Sequence, residues 1–368
     1  MPQEPHPSQL LKPEWVDTIR LQSFAAEEAG MLQSQQLELV YEQQWFKLLA
    51  PKVYGGLEAP LPDQIRLEEA LSWADGSLGW VVTLCAGAGW FGGFINPDAA
   101  HEIYANPKVC LAGSGASTGV AEITPDGYRL SGHWKYASGV RHATHFTANC
   151  LIQQNGESVL NAEGNPLVLS FVIDSSYAQQ VPAWKYIGMM GTGSHAFNLN
   201  NVLAPASRSF KIDHEAPLIN TPLYRYPFLQ LAEATLAANL SGMAMHFVDL
   251  CGPIFEQKLA ESRRMTEPHR AILMKTLQEV KADLEGIRNQ FYEAVDASWQ
   301  AGLTHKLTPE ALKPVSITSR LLAQISRESV DQLYPFCGLQ AASPDTEINQ
   351  VWRDLHTASQ HSLLTFMD

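Results

Sequence analysis

No CxxC pair occurs in these 368 residues, and the five cysteines stand far apart at Cys85, Cys110, Cys150, Cys251 and Cys337. That spacing argues against a zinc knuckle or a disulfide framework and predicts a reduced, cytoplasmic chain. Positive charge is scarce as well: 25 Lys and Arg face 38 Asp and Glu, for a net charge of -13. A nucleic-acid backbone needs a basic face, so it is not the expected partner. The opening MPQEPHPSQL has neither the basic segment nor the apolar stretch of a secretory leader. Long apolar runs are also missing, with one exception. Residues 76–97, GSLGWVVTLCAGAGWFGGFINP, carry no charge. Their glycines, and their place after an amphipathic segment, predict a buried helix that breaks into a Gly-rich turn, not a membrane span.

What the chain does have is 45% hydrophobic and 17% charged residues, enough for a globular protein of two or three domains. Residues 14–50 read as helices, with Leu37, Val40, Tyr41, Trp45, Leu48 and Leu49 mostly three or four apart, and Pro51 ends that segment. A loop, PKVYGGLEAPLPD, leads to a helix from about Pro62 to Trp73, and Asp75-Gly76-Ser77 forms a break or cap. Near Val109 the period becomes two. Tyr128, Leu130, Trp134 and Tyr136 share one strand face after the turn signal Pro125-Asp126-Gly127. Further strands are expected at 145–153, 167–173, 179–185 and 196–203, making 109–210 an antiparallel β-domain. Helical spacing returns from Pro227. Leu273, Leu277, Val280, Leu284, Ile287, Phe291, Val295 and Trp299 form a bundle stripe. A helix follows Pro314, and a last one is expected with Ser343 as N-cap and Pro344 at its first position.

Four motifs bear on chemistry. GSGASTG at 113–119 looks like a dinucleotide fingerprint, but a turn and an alternating strand follow it where the fingerprint requires a helix. The readings left are a loop facing an anion or a flavin ring, and a plain surface loop. His142 and His145 form an HxxH at a strand edge with no acidic third ligand nearby, which predicts packed or solvated histidines and no metal site. Gly188–His195, GMMGTGSH, reads as a tight turn between strands. Asp354 and His361, seven apart, are expected on one face of the last helix.

Together, PKVYGGLEAPLPD, EEALSWADGSLGW, GSGASTG through ASG, GMMGTGSHAFNLNNVLAP and WRDLHTASQH resemble the acyl-CoA dehydrogenase superfamily, in the family's order over residues 30–365. The resemblance implies an α+β multidomain fold: an N-terminal helical domain (1–108), a middle antiparallel β-barrel-like domain (109–212) and a C-terminal four-helix bundle (213–368). It also implies a flavin, FAD or FMN, between them, and a dimer or tetramer. The dehydrogenases' catalytic Glu, about nine residues past the Arg-Asp pair, falls here on Ser362, and no carboxylate follows Asp354 until Asp368. Gly132-His-Trp134-Lys-Tyr136-Ala-Ser138-Gly139 is one residue shorter than the dehydrogenase flavin motif. Both departures are similar to the two-component flavin monooxygenases of this fold. That likeness implies Ser138 and His361 beside the flavin N5/C4a side, and Gly113, Ser114, Trp134, Ser138 and Gly139 shaping the flavin site. It further implies a separate flavin reductase and an aromatic or similar small substrate. The alternatives are an acyl-CoA dehydrogenase-like FAD enzyme with a displaced base and a non-catalytic flavin-binding homologue.

Overall fold

The computed structural model describes residues 3–261 and 266–365, so Asp368 lies outside it. Six helices come first: α1 (Pro13–Leu21), α2 (Ser23–Ala29), α3 (Ser34–Glu42), α4 (Leu61–Ala74), α5 (Gly76–Gly89) and α6 (Pro97–Tyr104). Eight strands follow: β1 (Leu111–Thr124), β2 (Gly127–Ala137), β3 (His145–Gln154), β4 (Glu157–Ser158), β5 (Val168–Asp174), β6 (Gln179–Val181), β7 (His195–Ala204) and β8 (Ser209–Phe210). The chain then returns to helices: α7 (Pro222–Arg225), α8 (Phe228–Glu261), α9 (Glu267–Leu303), α10 (Pro309–Cys337), α11 (Leu339–Ala342) and α12 (Glu347–Ala358).

The strands form one sheet in the order β6-β7-β2-β1-β3-β5-β8, with β4 paired to β3. It is not wholly antiparallel, because β1 and β3 run parallel, Leu111 opposite His145. The reason is the chain's route. β2 hairpins back from β1 on one side, and the connection 138–144 crosses the end of β1 to start β3 on its other side. That connection carries Ser138 and Gly139.

β2 does not alternate cleanly either. Trp134 pairs with Phe197 and Ala137 with His195, so β2 holds one residue more than β7 over this stretch. Tyr136 takes up the bulge in a left-handed conformation (φ 64). It leaves the core face and is 57% exposed. Trp134 stays in the sheet's own core, fully buried and stacked on Phe197 at 5.0 Å, with its Nε1–H donated to the Asn149 carbonyl.

The second hydrophobic core runs from the N-terminal helices into the bundle. All eight stripe residues of α9 are buried in it. Between α4, α8 and α9 lies a buried ion pair: Glu69 accepts from Arg288 Nε (2.7 Å), the Tyr292 hydroxyl (2.7 Å) and Ser241 Oγ (2.5 Å). The last helix begins later than Ser343. Thr346 is its N-cap residue, and the Thr346 hydroxyl lies 2.7 Å from the Gln340 carbonyl and 2.9 Å from that of Ser343, folding 343–346 into a turn. The β6 strand stops at Val181 because Pro182 has no N–H and His195 Nδ1 accepts the amides of Ala183 and Trp184. Among the described residues no helix is long and apolar enough to cross a membrane.

Candidate functional site

The uncharged run 76–97 becomes α5, capped by Asp75, whose carboxylate accepts the Leu78 amide at 2.7 Å. Fourteen residues long, α5 is buried at every position but Leu84 and Gly87. With Trp80 (8% exposed) and the half-buried Phe91 these fall at spacings of four, three and four, a single helical line. The other glycines of α5 are closely packed: an added Cβ would meet Met243 at Gly76, Ser72 at Gly79 and the Phe46 carbonyl at Gly89. At Gly87 an added Cβ would meet nothing within 4 Å. One side of α5 therefore faces open space, bounded at the far end by Phe91 packed on Phe210 and Phe228.

At the near end, Trp80 Nε1 donates to Ser138 Oγ at 3.2 Å. Ser138 Oγ lies 2.8 Å from Ser194 Oγ, which lies 2.6 Å from Thr192 Oγ1, which donates to the Met189 carbonyl at 2.7 Å. The two ends fix every proton between them. An indole N–H only donates and a carbonyl only accepts. The Thr192 proton is committed to Met189, so Ser194 donates to Thr192, and Ser138 donates to Ser194. Ser138 keeps one lone pair and no proton for a ligand. Gly139 is held alongside by its amide on the Thr192 carbonyl (2.9 Å), at φ +75, where a Cβ would lie 2.7 Å from Cys85 Sγ. GMMGTGSH is thus more than a turn, since it supplies two of the chain's hydroxyls.

His361 reaches the same place from the other direction. Its ring centroid is 6.1 Å from that of Trp80. It does not share a helix with Asp354, because α12 ends at Ala358 and His361 caps a short 3-10 turn, Ser362–Leu364. Nδ1 accepts the Leu363 amide at 3.4 Å, and burial holds the imidazole below its usual pKa. The neutral ring then carries its proton on Nε2.

The Arg353–Asp354 pair clasps three segments. Arg353 pairs with Glu27 of α2 (2.6 Å) and donates to the Ile187 carbonyl, while Asp354 accepts the Met189 amide at 2.5 Å. Burial first, then the neighbouring Asp75, pushes the Asp354 carboxyl up to about 8. Asp354 faces a cavity of about 280 Å³, lined also by Arg20, Asp75, His246 and Glu347.

The other expected residues fall as follows. Gly113 and Ser114 lie in β1 beside Thr147 and Ala148, just before a register shift that ends at Gly119. Among the described residues no hydrogen bond links either to Ser138. Trp134 is a core residue and walls no open site. Two positions before Ser138, the exposed aromatic is Tyr136, with its hydroxyl 3.1 Å from that of Tyr186. His142 accepts the Leu32 amide (3.2 Å), and burial lowers its pKa to about 4. His145 is buried beside Thr144, and no metal-binding group of His, Cys, Asp or Glu occurs among the described residues. Sequence reasoning passed over Trp80, Thr192 and Ser194. The signal was present in a Trp inside an uncharged helix and in hydroxyl residues inside a Gly-rich turn.

The model of the acyl-CoA dehydrogenase C-terminal domain matches residues 234–366. A solved structure titled XiaF from Streptomyces sp., in complex with FADH2 and glycerol, superposes with a TM-score of 0.84 at 21% identity, over 95% of this chain and 89% of that one. The family likeness thus lies in the C-terminal helices, and the solved structure shares the fold of nearly the whole chain. The chain is 25% identical over 364 residues to the flavin-dependent monooxygenase oxygenase subunit HsaA of Mycobacterium tuberculosis, covering 94% of this chain and 88% of that protein. It is 24% identical over 321 residues to indole-3-acetate monooxygenase of Pseudomonas putida, covering 87% and 80%.

Proposed function

We propose that the chain is the oxygenase component of a two-component monooxygenase. It takes reduced FMN or FAD from a separate reductase and uses O2 to hydroxylate an aromatic substrate. The setting is the cytoplasm, and the working form is a dimer or tetramer. The residues present fit a flavin. Ser138 offers a buried acceptor at the end of a committed hydrogen-bond chain. Beside it, Tyr136 (57% exposed) and Tyr186 (46% exposed) leave an aromatic face uncovered, enough to pack a planar ring. Bound there, the flavin supplies the two electrons that activate O2. The protein's own part is to orient and to exclude water. Ser138 holds the ring edge, and the neutral His361 donates through Nε2. The Trp80–Leu84–Gly87–Phe91 side of α5 receives the substrate.

The observation that carries this reading is chemical. Among the described residues no carboxylate is hydrogen-bonded to Ser138, Trp80 or His361. The group lacks the strong base that removal of an α-proton requires, and it keeps the weak donors and acceptors suited to oxygen chemistry.

The test is to supply photoreduced FMN or FAD with oxygen and a panel of phenols and indoles, following hydroxylated product by mass. Product with either flavin supports the proposal. No product from the panel, together with reduction of bound FAD by an acyl-CoA, overturns it.

A further inference from the structure

The direction of the hydroxyl chain bears on which redox state of the flavin the site accepts, an inference that rests on the flavin reading above. In a reduced flavin N5 carries a hydrogen and donates. In an oxidised flavin N5 has only a lone pair and accepts. Ser138 has its proton turned away toward Ser194 and presents a lone pair. We propose that Ser194 and Thr192 are positioning residues that make the site selective for reduced flavin, by keeping Ser138 an acceptor. Reduced N5 finds a partner there. Oxidised N5 meets lone pair against lone pair, and relieving that contact would break the Ser138–Ser194 bond in a place where both residues are buried, Ser138 at 5% and Ser194 at 3% exposure.

The arrangement does not depend on rotamer preference at Ser138. It is set at both ends by groups with no choice. Trp80 Nε1 blocks one lone pair of Ser138 at 3.2 Å, and the Met189 carbonyl takes the Thr192 proton at 2.7 Å. Thr192 is fully buried, so no bulk water competes for its hydroxyl. Removing either interior member frees a proton. In Ser194→Ala, Ser138 has no acceptor and turns its hydroxyl toward the ligand. In Thr192→Val, Ser194 loses its acceptor and donates to Ser138, and Ser138 again turns outward.

The experiment measures dissociation constants for oxidised and anaerobically photoreduced FMN and FAD on the purified protein, and needs no turnover. The wild type is expected to bind the reduced form at least about tenfold more tightly, equivalent to about 30 mV in the two-electron potential. Ser194→Ala and Thr192→Val should bring the ratio toward one by tightening the oxidised form. Ser138→Ala should do so by weakening the reduced form. Ser194→Thr, which keeps a hydroxyl, should restore the wild-type ratio. An unchanged ratio in both interior variants, with melting temperatures near wild type, overturns the inference and leaves the flavin reading standing. Failure of the wild type to bind FMN and FAD in either redox state overturns both.

Discussion

Trp80 stands between Ser138 and His361, donating its indole N–H to the serine at 3.2 Å while its ring centroid lies 6.1 Å from the imidazole. It joins Ser138, 58 positions further along the chain, to His361 from beyond the last long helix. One side chain therefore sets the spacing of both groups proposed to handle the flavin.

Trp80→Phe keeps most of the packing and deletes the donor. The hydroxyl of Ser138 still points to Ser194, but its oxygen loses the donor that tethers it on the other side, and the expected outcome is a roughly tenfold fall in product formed per O2 consumed, about the worth of one hydrogen bond. Parallel assays of hydroxylated product and hydrogen peroxide measure it. Unchanged coupling would remove the indole from this role.

Gly87 separates stability from substrate range. A Cβ there meets nothing, so Gly87→Ala should stabilise the protein by up to ~1 kcal/mol through helix propensity, read from urea unfolding. Gly87→Leu fills the open side of α5. Its kcat/KM for indoles should drop about tenfold or more relative to that for phenol. Equal losses on both substrates would place the open face elsewhere.

Asp354 gives a pH signature with a definite sign. Its folded pKa, about 8, lies above the usual carboxylate value. Between pH 4 and 8 the unfolded chain releases a proton that the folded one retains, so this group's contribution falls as pH rises. Asp354→Asn keeps an acceptor for the Met189 amide and removes the acid. Its stability relative to wild type should improve by about 3–4 kcal/mol from pH 5 to pH 8. A difference independent of pH in denaturant titrations would contradict this.

Much of the fold was legible because long elements repeat their signal. The α9 stripe repeats its spacing over eight buried positions and needs no tertiary information. The β-region was visible for the same reason, but its strand order was not. Nothing local in residues 138–144 says that β3 lands beside β1. The bulge at Tyr136 is hidden too, since period-two spacing cannot reveal one extra residue; Trp134, which the resemblance implied at the flavin site, lies in the core, and Tyr136 is exposed. Ser138 and His361 were named from resemblance. The hydroxyl chain from Trp80 through Ser138 to Met189 depends on contacts 56 and 58 residues apart, which no motif records.

Arg288→Met tests the buried pair that joins the first helices to the bundle. The variant leaves the Glu69 carboxylate without its cation in a place where both side chains are under 4% exposed. The expected cost is about 3–5 kcal/mol in urea unfolding. The double variant Arg288→Met with Glu69→Leu should recover a substantial part of it, and no recovery would mean that packing, not charge, sets the loss.

The crossover from β2 to β3 has a consequence for how the chain acquires its site in time. Hairpins form from neighbours, whereas a parallel pair requires loop closure before any contact rewards it. Ser138 lies on that connection, Ser194 arrives with β7, and His361 follows α12. As the ribosome releases the chain, α5 and the β1–β2 hairpin are available early, but the group proposed to face the flavin is complete only once His361 has followed α12. A folding intermediate holding α5 and the sheet would have the hydroxyls and lack the imidazole, so competence for flavin chemistry should appear as the last kinetic phase of refolding, after secondary structure is in place.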